Sequence, residues 1–210
     1  IILKSKQKPK KITIYGSNEK EYIYLLKANE DLRQDERAIQ LFDLVNSLLK
    51  LDVDTYDKKL FIKGYPILAL SNNTGVIGFL SNWDTLNSLI KEYREINKIP
   101  KNIENWFVFG KHENYETCTM LTKLELFKEV NNFALGLHLQ KILWNKSKSA
   151  EDWLDRSTNY GRSLAVMSIA GYILGLGDRH PSNIMMEQKT GKILHIDFGD
   201  CFEVAQTRRK

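Results

Sequence analysis

Along this 210-residue chain the spacing of apolar residues changes period once, and that change constrains the fold more than any other feature. Period-two alternation comes first and helical spacing afterwards, which predicts strands and helices segregated along the chain. Lys11 to Tyr15, a turn at Gly16-Ser17-Asn18 and Glu21 to Lys27 read as an antiparallel hairpin. Leu60 to Leu70 and Val76 to Leu80 read as a second pair around Asn72-Asn73-Thr74-Gly75. Between them Ile39, Phe42, Val45, Leu48 and Leu49 recur at helical spacing and predict a helix from about Gln34 to Lys50. From Asp84 onward Leu86, Leu89, Ile90, Tyr93 and Ile96 form one apolar stripe, and Leu121, Leu124, Phe127 and Val130 another. The longest helix should start near Ser157 or Thr158, acceptable N-caps, and stop at Gly175 and Gly177. The expected class is α+β, with a β-rich lobe over residues 1–80 and an α-rich lobe over 81–210.

Composition narrows the functional classes. With 42% apolar and 27% charged residues the chain can bury a core, and its net charge of +5 suits phosphate ligands as well as a solvated basic face. No nucleic-acid partner is expected. Cys118 and Cys201 show no CxxC spacing and no companion His cluster, which argues against zinc and for a reducing compartment. The longest apolar stretch, Leu164 to Leu176, is broken by Ser168 and glycines and falls short of the roughly 18 residues that span a bilayer, so no transmembrane or signal segment is expected. The chain opens on Ile1 and closes on Lys210, soon after a chemically loaded motif, and is expected to be a piece of a longer protein.

That motif is one of two. Gly177 to Asn183 reads GDRHPSN, and His195 to Asp200 reads HIDFGD, with a strand, a Thr190-Gly191 turn and a second strand between them. Phosphoryl transfer needs a carboxylate to orient the attacking hydroxyl, and an amide with a second carboxylate to hold magnesium against the phosphates. Asp178, Asn183 and Asp197 supply those types in the order D-x-x-x-x-N, then D-F-G. Each piece alone could be a turn residue or a chance match; all three in register on one hairpin point to chemistry. Lys27, ending the strand Tyr22 to Leu26, is the candidate phosphate-binding lysine, with Glu30, Asp31, Asp35 and Glu36 as possible carboxylate partners among which the sequence does not choose. No Gly-rich G-x-G-x-x-G loop or Walker P-loop is present, so the phosphate cover is expected from the basic turn around Ser5, Lys6 and Lys8. His180 is read as a donor to the transferring phosphoryl group, or as a satisfier of the loop backbone.

The order D-R-H-x-x-N resembles the phosphatidylinositol 3-kinase-related kinases. Within them, Asn29 to Leu49, Arg162 to Asn183 and Gly191 to Ala205 resemble the target-of-rapamycin family. The resemblance implies a bilobed, protein-kinase-like fold of PI3/PI4-kinase type, with the hinge in 1–80, the catalytic loop in 175–183 and the activation segment starting at 195–210 and cut short. It implies transfer of the ATP γ-phosphoryl group to Ser or Thr of protein substrates, with Mg2+ as cofactor and Mn2+ as a substitute, in nutrient and growth signalling. Carried over, Asp178 is the base, His180 a transition-state stabiliser, Asn183 and Asp197 the metal ligands, and Lys27 the phosphate lysine, with Glu30 first and Asp35 in reserve as its partner. Ile2 to Lys8 becomes the phosphate-covering loop, with Ser5 near the phosphates. Leu25, Tyr65, Ile77, Phe79, Leu80, Met185 and Ile196 become the adenine pocket, although all are equally good as plain core. Phe79 stands where the family carries Trp, which should keep stacking and alter inhibitor sensitivity. Lys98 to about Gly136 corresponds to the insertion that seats a WD40 β-propeller subunit, and scaffold subunits of a TOR complex are implied. The expected location is the cytoplasm, including endomembrane surfaces, with the nucleus as a further site. A rapamycin-binding bundle is expected before Ile1 and further helices after Lys210, so residues 1–210 alone are expected to be inactive.

Two rivals share these motifs. A phosphatidylinositol lipid kinase would read its headgroup with a basic segment after D-F-G, whereas Asp200 to Ala205 is acidic and apolar, although Arg208, Arg209 and Lys210 follow. A non-catalytic scaffold is disfavoured because Lys27, Asp178, Asn183 and Asp197 are all present.

Overall fold

The computed structural model describes residues 8–112, 114–134 and 136–202, which divide into two compact units, 1–85 with 155–210, and 86–154. In the first unit, alternation and turn chemistry yield β1 (Lys10–Tyr15) and β2 (Glu21–Ala28), antiparallel with Thr13 opposite Ile23. Strand β4 (Thr74–Gly78) pairs with β2 on one side and with β3 (Ile67–Ser71) on the other, giving the order β1-β2-β4-β3. A glycine is needed at 75, because an added Cβ would stand 2.7 Å from the Leu32 side chain and 2.8 Å from the Leu68 carbonyl.

Only the second half of the expected strand Leu60 to Leu70 forms. The preceding backbone runs irregularly, and Asn46 bridges it: its Nδ2 donates to Ile62 O at 2.9 Å and its Oδ1 accepts from Ile62 N at 2.8 Å. That duty places Asn46 on the buried face of helix α1 (Arg33–Leu51) with Asp35, Ala38 and Phe42, while Leu48, expected inside, is 57% exposed. A short helix, α2 (Val53–Asp57), was not foreseen; Asp52 Oδ1 caps it by accepting from Thr55 N at 3.0 Å.

The second sheet is β5 (Trp83–Thr85), β6 (Ile184–Glu187) and β7 (Ile193–His195), in that order. The long helix, numbered α7 (Ala150–Ile173), starts earlier than its expected cap, because Ser149 Oγ already accepts from Asp152 N at 3.1 Å and Asp152 Oδ2 accepts from Lys148 N at 2.9 Å. This helix fixes the β6–β7 hairpin. Ser163 Oγ accepts from Ile193 N at 2.8 Å, Asn159 Nδ2 donates to Thr190 O at 3.1 Å, and Gly191, at φ +73°, lies so close that a Cβ would sit 2.9 Å from Arg156 O. The core joins Phe42 of α1, Met167 and Ala170 of α7, Tyr65, Trp83 and Phe198.

The second unit is helical: α3 (Leu86–Ile96), α4 (Ile103–Lys111), a single 3-10 turn at Tyr115–Thr117, α5 (Met120–Ala134) and α6 (His138–Asn145). Arg94, nearly buried, donates to Lys101 O at 2.7 Å and pairs with Glu104. Phe107 of α4 stacks on Phe133 of α5 with ring centroids 4.9 Å apart. The expected stripes are corrected here. Leu86, Leu89 and Tyr93 are buried but Ile96 is not, and on α5 the buried residue is Leu126 while Leu121, Leu124 and Phe127 face outward. Among the described residues no helix is long and apolar enough to cross a membrane.

Candidate active site

Lys27 is the penultimate residue of strand β2, and its Nζ lies 3.1 Å from Glu30 Oε1, with both side chains about four-fifths buried. The tight return between them passes through Asn29 at φ +62°, a conformation that Asn tolerates, and Glu30 N donates to Asn73 O at 3.2 Å. Of the four candidate partners, Asp31 is taken by Arg33 at 2.6 Å, outside the site.

Asp35, which lines the same cavity as Lys27, also makes a backbone contact. Its Oδ1 accepts the Phe198 backbone N–H at 2.8 Å, joining α1 to the D-F-G turn across a large sequence separation. Phe198 itself is fully buried, edge-on to Phe42 at 5.2 Å and stacked on Tyr65 at 6.4 Å. Burial raises the Asp35 carboxyl above 3.8, with Asp197 and Glu30 adding to the rise and the Phe198 N–H and Lys27 opposing it. Burial also pushes the Tyr65 phenol far above its ordinary range, and Asp35 adds to that.

The GDRHPSN loop is anchored at both ends. Gly177 N donates to Asp200 O at 2.8 Å, and Asn183 N to His180 O at 2.9 Å. Asp178 and Asp197 adopt left-handed φ of +54° and +64°, strain of the kind that gathers at functional sites. Asn183, 7% exposed, donates Nδ2 to Asp178 O at 3.1 Å, which turns its Oδ1 to the other side as an acceptor. His180 Nδ1 accepts from Ser182 N at 3.2 Å; the ring proton therefore belongs on Nε2, which lies 4.0 Å from Asp178 Oδ2. Arg179 laces the two motifs together: it donates to Gly177 O at 2.7 Å, to Ile196 O at 2.9 Å and to Asp197 O.

Lys27, Asp35, Asn183 and Asp197 line one cleft of about 220 Å³. All seven expected adenine-pocket residues, Leu25, Tyr65, Ile77, Phe79, Leu80, Met185 and Ile196, line it together with Lys27, Asp35, Asn183 and Asp197. Apolar walls with a lysine, two carboxylates and an amide in the lining suit a molecule with a flat apolar part and a phosphate tail shared with a cation. Lys11 Nζ stands 4.1 Å from the Phe79 ring centroid, so this aromatic already carries a cation on one face. Among the described residues no three His, Cys, Asp or Glu side chains cluster to hold a metal alone. Asn183 and Asp197 suit magnesium shared with phosphate oxygens and water, the usual way that ion is held. Ser5 and all but the last residue of the expected covering loop Ile2 to Lys8 lie outside the described residues.

Arg179 and the Phe198 cap by Asp35 were missed from sequence. The only signal available was the basic residue inside the D-R-H triplet and an acid one turn into α1; their partners are backbone atoms that no motif spacing reveals.

Residues 21–210 match the family model for phosphatidylinositol 3- and 4-kinase. The chain is 53% identical over 209 residues to the serine/threonine-protein kinase mTor of Drosophila melanogaster, and 51% identical over 209 residues to the serine/threonine-protein kinase TOR2 of Saccharomyces cerevisiae. Each match covers 100% of this chain and 8% of the relative, so the chain spans about a twelfth of those proteins. Among solved structures, the FAT and kinase domain of CtTel1 matches with a TM-score of 0.78 and 31% identity, over 93% of this chain and 14% of that one.

Proposed function

The chain belongs to the phosphatidylinositol 3- and 4-kinase family, and from that premise we propose that it is the catalytic portion of a target-of-rapamycin-type protein kinase, transferring the ATP γ-phosphoryl group to Ser or Thr of protein substrates. The observation that carries this is the single cleft in which Lys27, Asn183 and Asp197 meet the apolar wall, with Asp178 held to Asn183 through its carbonyl. The names of relatives about half identical over the whole chain favour a protein acceptor over a lipid one.

In this reading the adenine lies between Leu25, Ile77 and Met185 with Phe79 and Leu80 at the hinge, and Lys27, oriented by Glu30, holds the α- and β-phosphates. Asn183 Oδ1 and the Asp197 carboxylate would hold Mg2+, or Mn2+ in its place, which when bound would neutralise phosphate charge. Asp178 orients the attacking hydroxyl and accepts its proton. His180, whose Nε2 lies 4.0 Å from Asp178 Oδ2, is assigned as the donor to the transferring group. Ser5 is assigned to the phosphate cover by resemblance. Residues 1–80 with the hinge, and 81–210, are the assigned lobes.

The outward apolar residues of α4 and α5, among them Trp106, Leu121 and Phe127, support Lys98 to Gly136 as the seat of a WD40 propeller subunit in a complex with further scaffold subunits. The assigned location is the cytoplasm, endomembrane surfaces and the nucleus included.

The test uses the full-length protein with Mg-ATP and two acceptors, a Ser/Thr protein substrate and phosphatidylinositol vesicles, with Asp178→Asn as control. Transfer to protein that the substitution abolishes is the expected result. Transfer to lipid alone would move the chain to the lipid-kinase branch, and nucleotide binding without transfer would make it a scaffold.

A further inference from the structure

A side chain is aimed by the backbone beneath it: peptide units are planar, so fixing the two planes on either side of a Cα fixes the direction of its Cα–Cβ bond. At Asp197 both planes are held, and by one side chain. The Ile196 carbonyl, in the plane before Asp197, accepts from Arg179 Nη1 at 2.9 Å; the Asp197 carbonyl, in the plane after it, accepts from Arg179 Nη2. That second plane is gripped at its other end as well, because Phe198 N donates to Asp35 Oδ1 at 2.8 Å.

The conformation so held is one that an L residue does not choose for itself. At φ +64° Asp197 is left-handed, and a non-glycine residue stays there only where its surroundings over-determine it. Asp178, at φ +54°, is served more sparingly: Arg179 Nε donates to Gly177 O at 2.7 Å, which fixes the plane before it. Among the described residues Arg179 is not part of the nucleotide cleft's lining; it walls the groove on the other side of the hairpin, beside Leu164 and Ile184. Its influence on the cleft therefore runs through main chain. Mere satisfaction of carbonyls would not require this residue type, but three acceptors in fixed mutual directions suit a rigid planar guanidinium. A lysine ammonium on a flexible stem has no such fork.

We propose that Arg179 is a positioning residue for the metal ligand Asp197: by setting both peptide planes beside that residue it aims the carboxylate into the cleft, where the cation shared with the ATP phosphates binds. The assignment rests on the kinase reading and adds to it the group on which its metal affinity depends.

Full-length protein, wild type, Arg179→Lys and Arg179→Met, is titrated calorimetrically with a non-hydrolysable ATP analogue, once with Mg2+ and once with EDTA, and separately with adenosine. Thermal melting checks that each variant is folded. In both variants the gain in analogue affinity that Mg2+ confers is expected to fall by about 10 to 100-fold, the usual loss when a group that orients a metal ligand is removed. Adenosine affinity, and analogue affinity in EDTA, are expected to stay at the wild-type level, since neither involves Asp197 holding a cation. If Arg179→Met does not fold, Arg179→Lys, which keeps the charge and can still serve one carbonyl, carries the test. A full magnesium gain in a folded variant, or an equal loss of adenosine binding, would overturn the assignment. A wild-type protein that binds the analogue with no gain from Mg2+ would instead overturn the kinase reading.

Discussion

Among the described residues the buried polar side chains gather in the first unit, Arg94 being the exception in the second. In the first, Asp35, Asn46 and Asn183 are at most 7% exposed, and each is tied to backbone remote in sequence or to a strained loop. In the second, Trp106 is 72% exposed and Phe127 61%, on helices whose apolar spacing would conventionally mark a core. The difference teaches that burial follows what the backbone needs. Irregular backbone beside a site recruits polar side chains inward, while regular helices satisfy themselves and leave apolar faces for something else to cover.

The largest effect that could break this comparison lies at the site. Asp178→Asn should lower turnover by about 10² to 10⁴-fold while Mg-ATP binding is kept, and Asp197→Asn should instead weaken Mg-ATP binding; nucleotide titration beside single-turnover kinetics separates the two. If both variants behaved alike at the binding step, the division of roles would be wrong. Next comes Asn46→Ala, which orphans both backbone groups of Ile62 and should destabilise by about 1–3 kcal/mol, whereas Leu48→Ala, two positions on, should stay within about 0.5 kcal/mol. Chemical denaturation of the two variants decides, and equal losses would show that the buried polar bridge is dispensable.

How much was legible follows from the same contrast. Asp178, Asn183 and Asp197 could be picked out as candidates by residue type at short spacing, and Lys27 by its strand; of these Lys27, Asn183 and Asp197 line one cleft, and Asn183 is bonded to the Asp178 carbonyl. The β1–β2 and β6–β7 hairpins were legible for a similar reason, their turns being local. Asn46 was passed over for Leu48 because helical periodicity counts apolar residues and cannot see that Ile62 needs partners. The start of α7 was missed because Ser149 and Asp152 cap it well ahead of Ser157, an equally acceptable N-cap residue by type alone. On α5 periodicity found an apolar face and assigned it inward, since spacing does not distinguish a core from an uncovered surface.

Smaller effects sharpen the helical side of the comparison. Leu121→Ser and Phe127→Ser should each change stability by no more than about 0.5 kcal/mol and, on the proposed seating of a propeller subunit, abolish its co-purification; a large loss of stability would show that these residues serve the unit's own core. Smallest is a pH dependence at the Arg94 cluster. Partial burial alone would raise Glu104, but hydrogen bonding and attraction from Arg94 leave its pKa below 4.5, and burial followed by Arg94 lowers His138 below 6.5. Both groups are depressed in the folded state, so their contribution is present above those ordinary values and fades as pH falls, first through His138 and then through Glu104. Hydrogen exchange at the amides of 94–104, corrected for intrinsic rates, should quicken between pH 7 and 4; a flat profile would remove the pair from the account of this unit's stability.

The left-handed backbone at Asp178 and Asp197 bears on how genetic data from this family should be interpreted. Alanine, the customary probe, inflicts two lesions at such positions, one to the carboxylate and one to the main chain that Asp and Asn tolerate better than most residues. An alanine allele that scores as dead therefore does not tell lost chemistry from a loop that has relaxed out of shape. Asparagine keeps the conformation and isolates the charge, and glycine keeps the conformation and isolates the side chain, so that pair of alleles resolves what alanine confounds.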